Sequence, residues 1–109
     1  MSTREERLDR VFAALSDRTR RALLSRLGRA PAKITDLAAP FEMSLPAVSK
    51  HVRVLERAGL VRRKVDGRVH LCSLDVVPLE EAERWLAERR AFWEESLDAL
   101  ARLVETKRR

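Results

Sequence analysis

Residues 44–58, SLPAVSKHVRVLERA, constrain the fold of this chain more than any other stretch. On a helix of about 100° per residue, Leu45, Val48, Val52 and Leu55 fall within an arc of about 80°. Pro46, Lys50, Arg53 and Arg57 take the opposite side, with Ala47 and Val54 toward one flank. A helix with one such apolar stripe must lie on a core through it. Its other face, where cations stand among small apolar side chains, is poorly suited to plain solvation. It suits close approach to a duplex, where a helix enters the major groove and small residues avoid clashes.

A second basic element follows this helix. Leu60-Val61-Arg62-Arg63-Lys64-Val65 and the run from Arg68 to residue 74 flank Asp66-Gly67, two β-prone runs about a type I′ turn signal. Cations stand on its strands and at its tip. Helix plus basic hairpin is the core of a winged helix-turn-helix, and the pattern points to DNA.

The flanking sequence completes that fold. A first helix is expected over residues 3–15, from Leu8, Val11, Phe12 and Leu15 at helical spacing with Glu5 and Glu6 in the first turn. Ser16-Asp17 caps a second helix over 18–27, closed by Gly28. Residues 29–32 are a break. Thr35 is expected to cap a short third helix over 36–39, which Pro40 stops. Ser44 caps the fourth, with Pro46 tolerated in its first turn and Gly59 just past its end. Pro78 opens the longest helix, to about residue 106. The predicted fold class is mainly α with a small β-hairpin, in the order α-α-α-α-β-β-α, as one domain over residues 1–109.

The long helix carries Ala82, Leu86, Trp93, Leu97, Leu100 and Val104 in one stripe, interrupted by Arg89. That is more apolar face than so small a body can cover, and an exposed stripe of this size marks an interface. The alternative is that the helix folds back on its own domain, as Trp85 and Phe92 are expected to do even in a dimer. A homodimer through the first helix and residues 79–106 is expected, with Leu8, Phe12, Leu86, Trp93, Leu97, Leu100 and Val104 at the interface.

Charge and composition narrow the function classes. The 109 residues hold 23 Lys and Arg against 17 acids, a formal charge of +6 that favours polyanionic partners. Cys72 is the only cysteine, so an internal disulfide and a Cys-paired zinc site are both excluded. No run approaches the roughly 18 apolar residues that cross a bilayer, so no membrane partner is expected and the cytoplasm is the expected location. Three glycines form no phosphate-binding loop, and no nucleophile–base set stands out. An enzyme, a metal and a cofactor are therefore not expected.

With the elements placed, the chain resembles the ArsR family of small bacterial winged-helix repressors over nearly its whole length. Ala13-Ala14-Leu15-Ser16-Asp17-Arg18-Thr19-Arg20-Arg21 is similar to that family's start of the second helix, with Arg18 in place of the usual proline. The S-K-H-V-x-x-L core over 49–55 resembles its recognition helix. Ala58-Gly59-Leu60-Val61 and Asp66-Gly67-Arg68 resemble its helix exit and wing tip. The resemblance implies a homodimer that presents two recognition helices to an inverted-repeat operator. Metal-sensing members carry a Cys-x-Cys motif on the third helix, where this chain reads Ile34-Thr35-Asp36-Leu37-Ala38-Ala39, or His and Asp ligands on the last helix, which has no histidine here. The metal-independent branch is the closer match.

Candidate DNA-binding residues are Ser44, Pro46, Ala47, Ser49, Lys50, His51, Arg53, Val54 and Arg57 on the helix, and Arg62, Lys64 and Arg68 on the wing. Lys50 and Arg53 are the prime base or phosphate contacts. His51 lies between the two faces, so a packed, structural ring is its other reading. Period-two alternation puts Arg62 and Lys64 on one face of the wing and Arg63 on the other. Cys72, mid-strand, is expected to be a buried, inert thiol, with a redox role beside His70 as the alternative. Together these residues predict a sequence-specific double-stranded DNA-binding repressor. A protein-docking winged helix and a nonspecific architectural DNA binder are the alternatives; the docking module has no need of a basic hairpin.

Overall fold

The computed structural model describes residues 2–108. Its elements run α1 (Arg4–Leu15), α2 (Arg18–Leu27), β1 (Ala32–Lys33), α3 (Ile34–Ala38), α4 (Leu45–Arg57), β2 (Val61–Asp66), β3 (Val69–Leu74) and α5 (Val77–Arg108). Side-chain caps set three of the helix starts. Thr3 accepts the backbone N–H of Glu6, Asp17 that of Arg20 and Ser44 that of Ala47.

The exit of α4 is fixed just as tightly. Gly59 takes a φ of +77°, while its N–H reaches the carbonyl of Glu56 and the N–H of Leu60 that of Leu55. Those two bonds are the Schellman pair, and the accompanying apolar contact is between Leu55 and Leu60, both fully buried. Any other residue at 59 would hold a strained backbone and press its Cβ against Pro78, 3.3 Å away.

A single apolar core joins these elements. Leu8, Val11 and Ala14 of α1, Leu23 and Leu27 of α2, Leu37 of α3, and Val48, Val52 and Leu55 of α4 converge there with Leu60, Val61 and Cys72. The α3–turn–α4 unit followed by the β2–β3 hairpin gives a mainly helical winged helix-turn-helix. The body ends near Trp85 on α5, and the rest of that helix runs on as an arm, so the molecule measures 73 × 34 × 21 Å.

Five local expectations are corrected. The sheet has three antiparallel strands in the order β1-β3-β2, because Ala32 and Lys33 pair with Cys72 and Leu71 of β3. Two residues with no periodicity of their own carry no strand signal. The chain passes from that strand straight into α3, so Ile34 is helical and buried and Thr35 is not the cap. The hairpin turns on Gly67 and Arg68, since Asp66 still pairs with Val69. Only Gly67 has positive φ, which is the type II′ pattern rather than I′. Leu45, placed on the inner stripe, is 45% exposed because the first turn of α4 projects beyond the core. Leu8, expected at the dimer interface, is 3% exposed within its own chain's core and offers nothing to a partner.

Candidate nucleic-acid interface

Burial decides which face of α4 is free. Val48, Val52 and Leu55 are fully buried, which seats the helix on the core and turns Pro46, Lys50, Arg53 and Arg57 outward. Ala47, Ser49 and Val54 flank that face, half-buried. Among the described residues, Lys50, Arg53 and Arg57 make no ion pair. Ser44 is exposed at the helix start, its Oγ accepting the N–H of Ala47 at 3.3 Å. The result is a convex, cationic ridge with small side chains between its charges.

The rear of the same helix is clamped to the body. Arg20 on α2 donates to the carbonyls of Ala13 and Ala14, which satisfies the C-terminal end of α1. Its third bond, 3.2 Å, goes to Nδ1 of His51. Asp17 lies 3.8 Å from the same nitrogen. The backbone N–H of Arg20 holds the Asp17 carboxyl below the usual carboxylate range, with His51 a lesser cause. His51 thus presents Nδ1 to the body, joining α2 to α4, and only its remaining edge is open to a ligand. Arg20 and Asp17 carry this clamp, and helical spacing in the sequence gave no sign that Arg20 faces α4.

On the wing, period-two alternation sorts the cations as expected. Arg63 turns inward to Glu56 of α4, while Arg62, Lys64 and Arg68 are exposed. Arg62 is nevertheless engaged, with Nε and Nη2 each 3.0 Å from Asp75 Oδ2. The other Asp75 oxygen accepts the N–H of Val77 at the start of α5. That backbone bond first, and Arg62 second, hold Asp75 below the ordinary carboxylate range. Lys64 and Arg68 make no ion pair among the described residues, so the free positive charge of the wing sits toward its tip.

The arm is organised differently. Arg7 forks onto Glu81 at 2.8 and 3.0 Å, and Arg4 reaches Glu88 at 3.0 Å, fixing α1 along the first turns of α5. Phe12 meets Trp85 edge-on at 5.8 Å, with the Arg89 guanidinium over the indole. Trp85 therefore does fold onto the body. Phe92 does not; it is 61% exposed. Leu86, Trp93, Leu97, Leu100 and Val104 are all exposed large apolar residues along one projecting helix, and Phe12 is exposed at its root.

A family model described as a helix-turn-helix domain matches residues 15–64, from the end of α1 into the wing. The HTH-type transcriptional regulator Rv2034 of Mycobacterium tuberculosis is 38% identical over 98 residues, 90% of this chain and 89% of that protein. A solved structure of an ArsR family transcriptional regulator, RHA00566, has a TM-score of 0.81 at 45% identity, covering 86% of this chain and 97% of that one. The chain belongs to the ArsR family of helix-turn-helix transcriptional regulators. The transcriptional repressor SdpR of Bacillus subtilis is a further relative, 30% identical over 79 residues, 72% of this chain and 88% of that protein.

Several candidate chemistries can be placed in this ArsR-family regulator. Among the described residues, no three His, Cys, Asp or Glu side chains gather into a group that could hold a metal ion. No helix is long and apolar enough to cross a membrane. Cys72 is fully buried, and burial pushes its thiol up, which disfavours the thiolate that redox exchange requires.

Proposed function

We propose that this regulator is a homodimeric, sequence-specific double-stranded DNA-binding repressor that acts in the cytoplasm without a metal or cofactor. The observation that carries the reading is α4 itself. Three fully buried side chains fix its inner face, and three unpaired cations stand on its outer face. Lys50, Arg53 and Arg57 would enter the major groove, with Pro46, Ala47, Ser49 and Val54 allowing close approach. Ser44 places the first amides of α4 against a phosphate, and Lys64 and Arg68 grip the flanking backbone. His51 and Arg62 make secondary contacts at most, since each already has a protein partner.

Two copies are needed to cover the arm. Its exposed stripe has no partner in its own chain, and joining two such stripes buries both. The dimer would set two recognition helices about 34 Å apart, which matches half-sites about 10 bp apart on one side of the duplex. With about 8 phosphates neutralised per dimer, log K should fall with log salt at a slope near −7. Blocking polymerase at a promoter is how such a dimer would repress.

Selection of random duplex DNA by the purified chain, with chelator and at about 150 mM salt, tests the reading. Enrichment of an inverted repeat supports it. Retention of DNA without enrichment would show an architectural binder, and no retention would turn attention to protein partners.

A further inference from the structure

The inward cation of the wing does something other than meet DNA. Arg63 Nη2 and Nε lie 2.6 and 3.0 Å from Glu56 Oε1, and Nη1 lies 3.1 Å from His70 Nδ1. One guanidinium thereby joins the last turns of α4, strand β2 and strand β3. The group is sheltered, with side chains 17% exposed at Arg63 and 29% at Glu56. Behind it, the Cα partner of Arg63 across the hairpin is the core residue Cys72. A forked, charge-assisted contact on so firm a floor holds one geometry. The pair sits where the recognition helix and the wing meet.

That angle matters to any ligand touched by both. At about 3.3 Å per residue the wing tip at Gly67 lies roughly 13 Å beyond Arg63, so a swing of about 10° there moves Lys64 and Arg68 by up to about 2 Å. A shift of that size is enough to lose a phosphate contact made while α4 stays in the groove. On the opposite side of β2, Arg62 ties the wing to Asp75 and so to the start of α5. The four wing cations divide into two braces at the base and two free charges toward the tip.

We propose that Arg63 and Glu56 are positioning residues for DNA recognition: they set the angle of the wing against the recognition helix without touching DNA. The inference rests on the DNA-reading function proposed above, and it makes a prediction opposite in sign to simple electrostatics. Glu56→Gln removes a negative charge from a DNA-facing region, which by charge alone strengthens binding. Loss of the brace weakens it instead.

The test uses the full chain, a duplex enriched by the selection and a scrambled duplex, with affinity measured across a salt series well below the unfolding midpoint of each variant. Glu56→Gln should bind the enriched duplex roughly tenfold more weakly and lose most of its preference over the scrambled one. Arg63→Lys, which keeps the charge but not the fork, should do the same, and the double variant should be no worse than the poorer single. Glu56→Gln binding as tightly as the parent or more tightly, or Arg63→Lys binding unchanged, overturns the positioning role alone. A parent chain that enriches no duplex overturns the DNA reading, and the positioning role with it.

Discussion

Helices α4 and α5 are both amphipathic, and they end up in opposite situations. On α4 the stripe residues Val48, Val52 and Leu55 are 0% exposed, whereas on α5 Trp93, Leu97, Leu100 and Val104 are 44–64% exposed. Each sequence has apolar residues at helical spacing, so the difference is one of supply. The body holds enough apolar surface from α1, α2, α3 and the sheet to enclose one 13-residue helix. It covers only the first turns of the 32-residue α5. One helix is completed by its own chain, and the other is left for a second copy to complete.

The sharpest way to break this comparison is a matched pair of truncations. Leu55→Ala should cost about 2–5 kcal/mol of unfolding free energy, because it opens a cavity in a close-packed core. Leu97→Ala, measured in urea at a concentration that keeps the chain monomeric, should change stability by less than about 0.5 kcal/mol. Equal losses would mean that the arm folds back on its own chain.

A charge in the middle of the arm tests what covers it. Trp93→Asp should convert a dimer into monomers in sedimentation velocity and lower affinity for an inverted-repeat duplex about 10²-fold or more, since two linked half-site contacts become one. A variant that stays dimeric would place the interface elsewhere.

On the outer face of α4, Lys50→Ala and Arg53→Ala should each cost about 1–3 kcal/mol of binding if they read base edges. The loss should be concentrated on the preferred sequence. A uniform loss over all duplexes, with the salt slope reduced by about 1 per phosphate contact removed, would assign them to phosphates.

The smallest expected effect lies in acid. Asp17, Asp75 and Glu81 are held below the ordinary carboxylate range, Asp17 and Asp75 chiefly by backbone N–H donors and Glu81 chiefly by Arg7. A carboxylate lowered in the folded state contributes its full stability above its unfolded value, near 4, and loses it as pH falls toward the folded value. Unfolding free energy from urea titrations should therefore be flat between about pH 6 and 8 and decline below about pH 4. Asp17→Asn keeps a capping side chain and should show a shallower decline; an unchanged decline would remove Asp17 from that account.

Much of this was legible before any coordinates. The caps at Asp17 and Ser44, the exit at Gly59 and the inner stripe from Val48 to Leu55 are local signals, because each depends on residues within one or two turns of each other. The inward turn of Arg63 was legible from alternation along the strand. Its acceptor was not, because Glu56 belongs to another element. The same limit hid β1, whose two residues become a strand only by pairing with β3 some 40 residues later. It also hid the Arg20 clamp on His51, and it let Leu8 pass for an interface residue when the core had already enclosed it.

By itself, the sequence determined the helices, the hairpin and the cationic outer face of α4. Those follow from backbone preferences and from the periods of 3.6 and 2 that sort side chains by face. Only the tertiary structure decided which charged groups remain free. Arg62, Arg63, Arg7 and His51 have partners, and Lys50, Arg53, Arg57, Lys64 and Arg68 do not. A charge pairs according to which element folds against it, and that depends on how the core fills rather than on spacing along the chain.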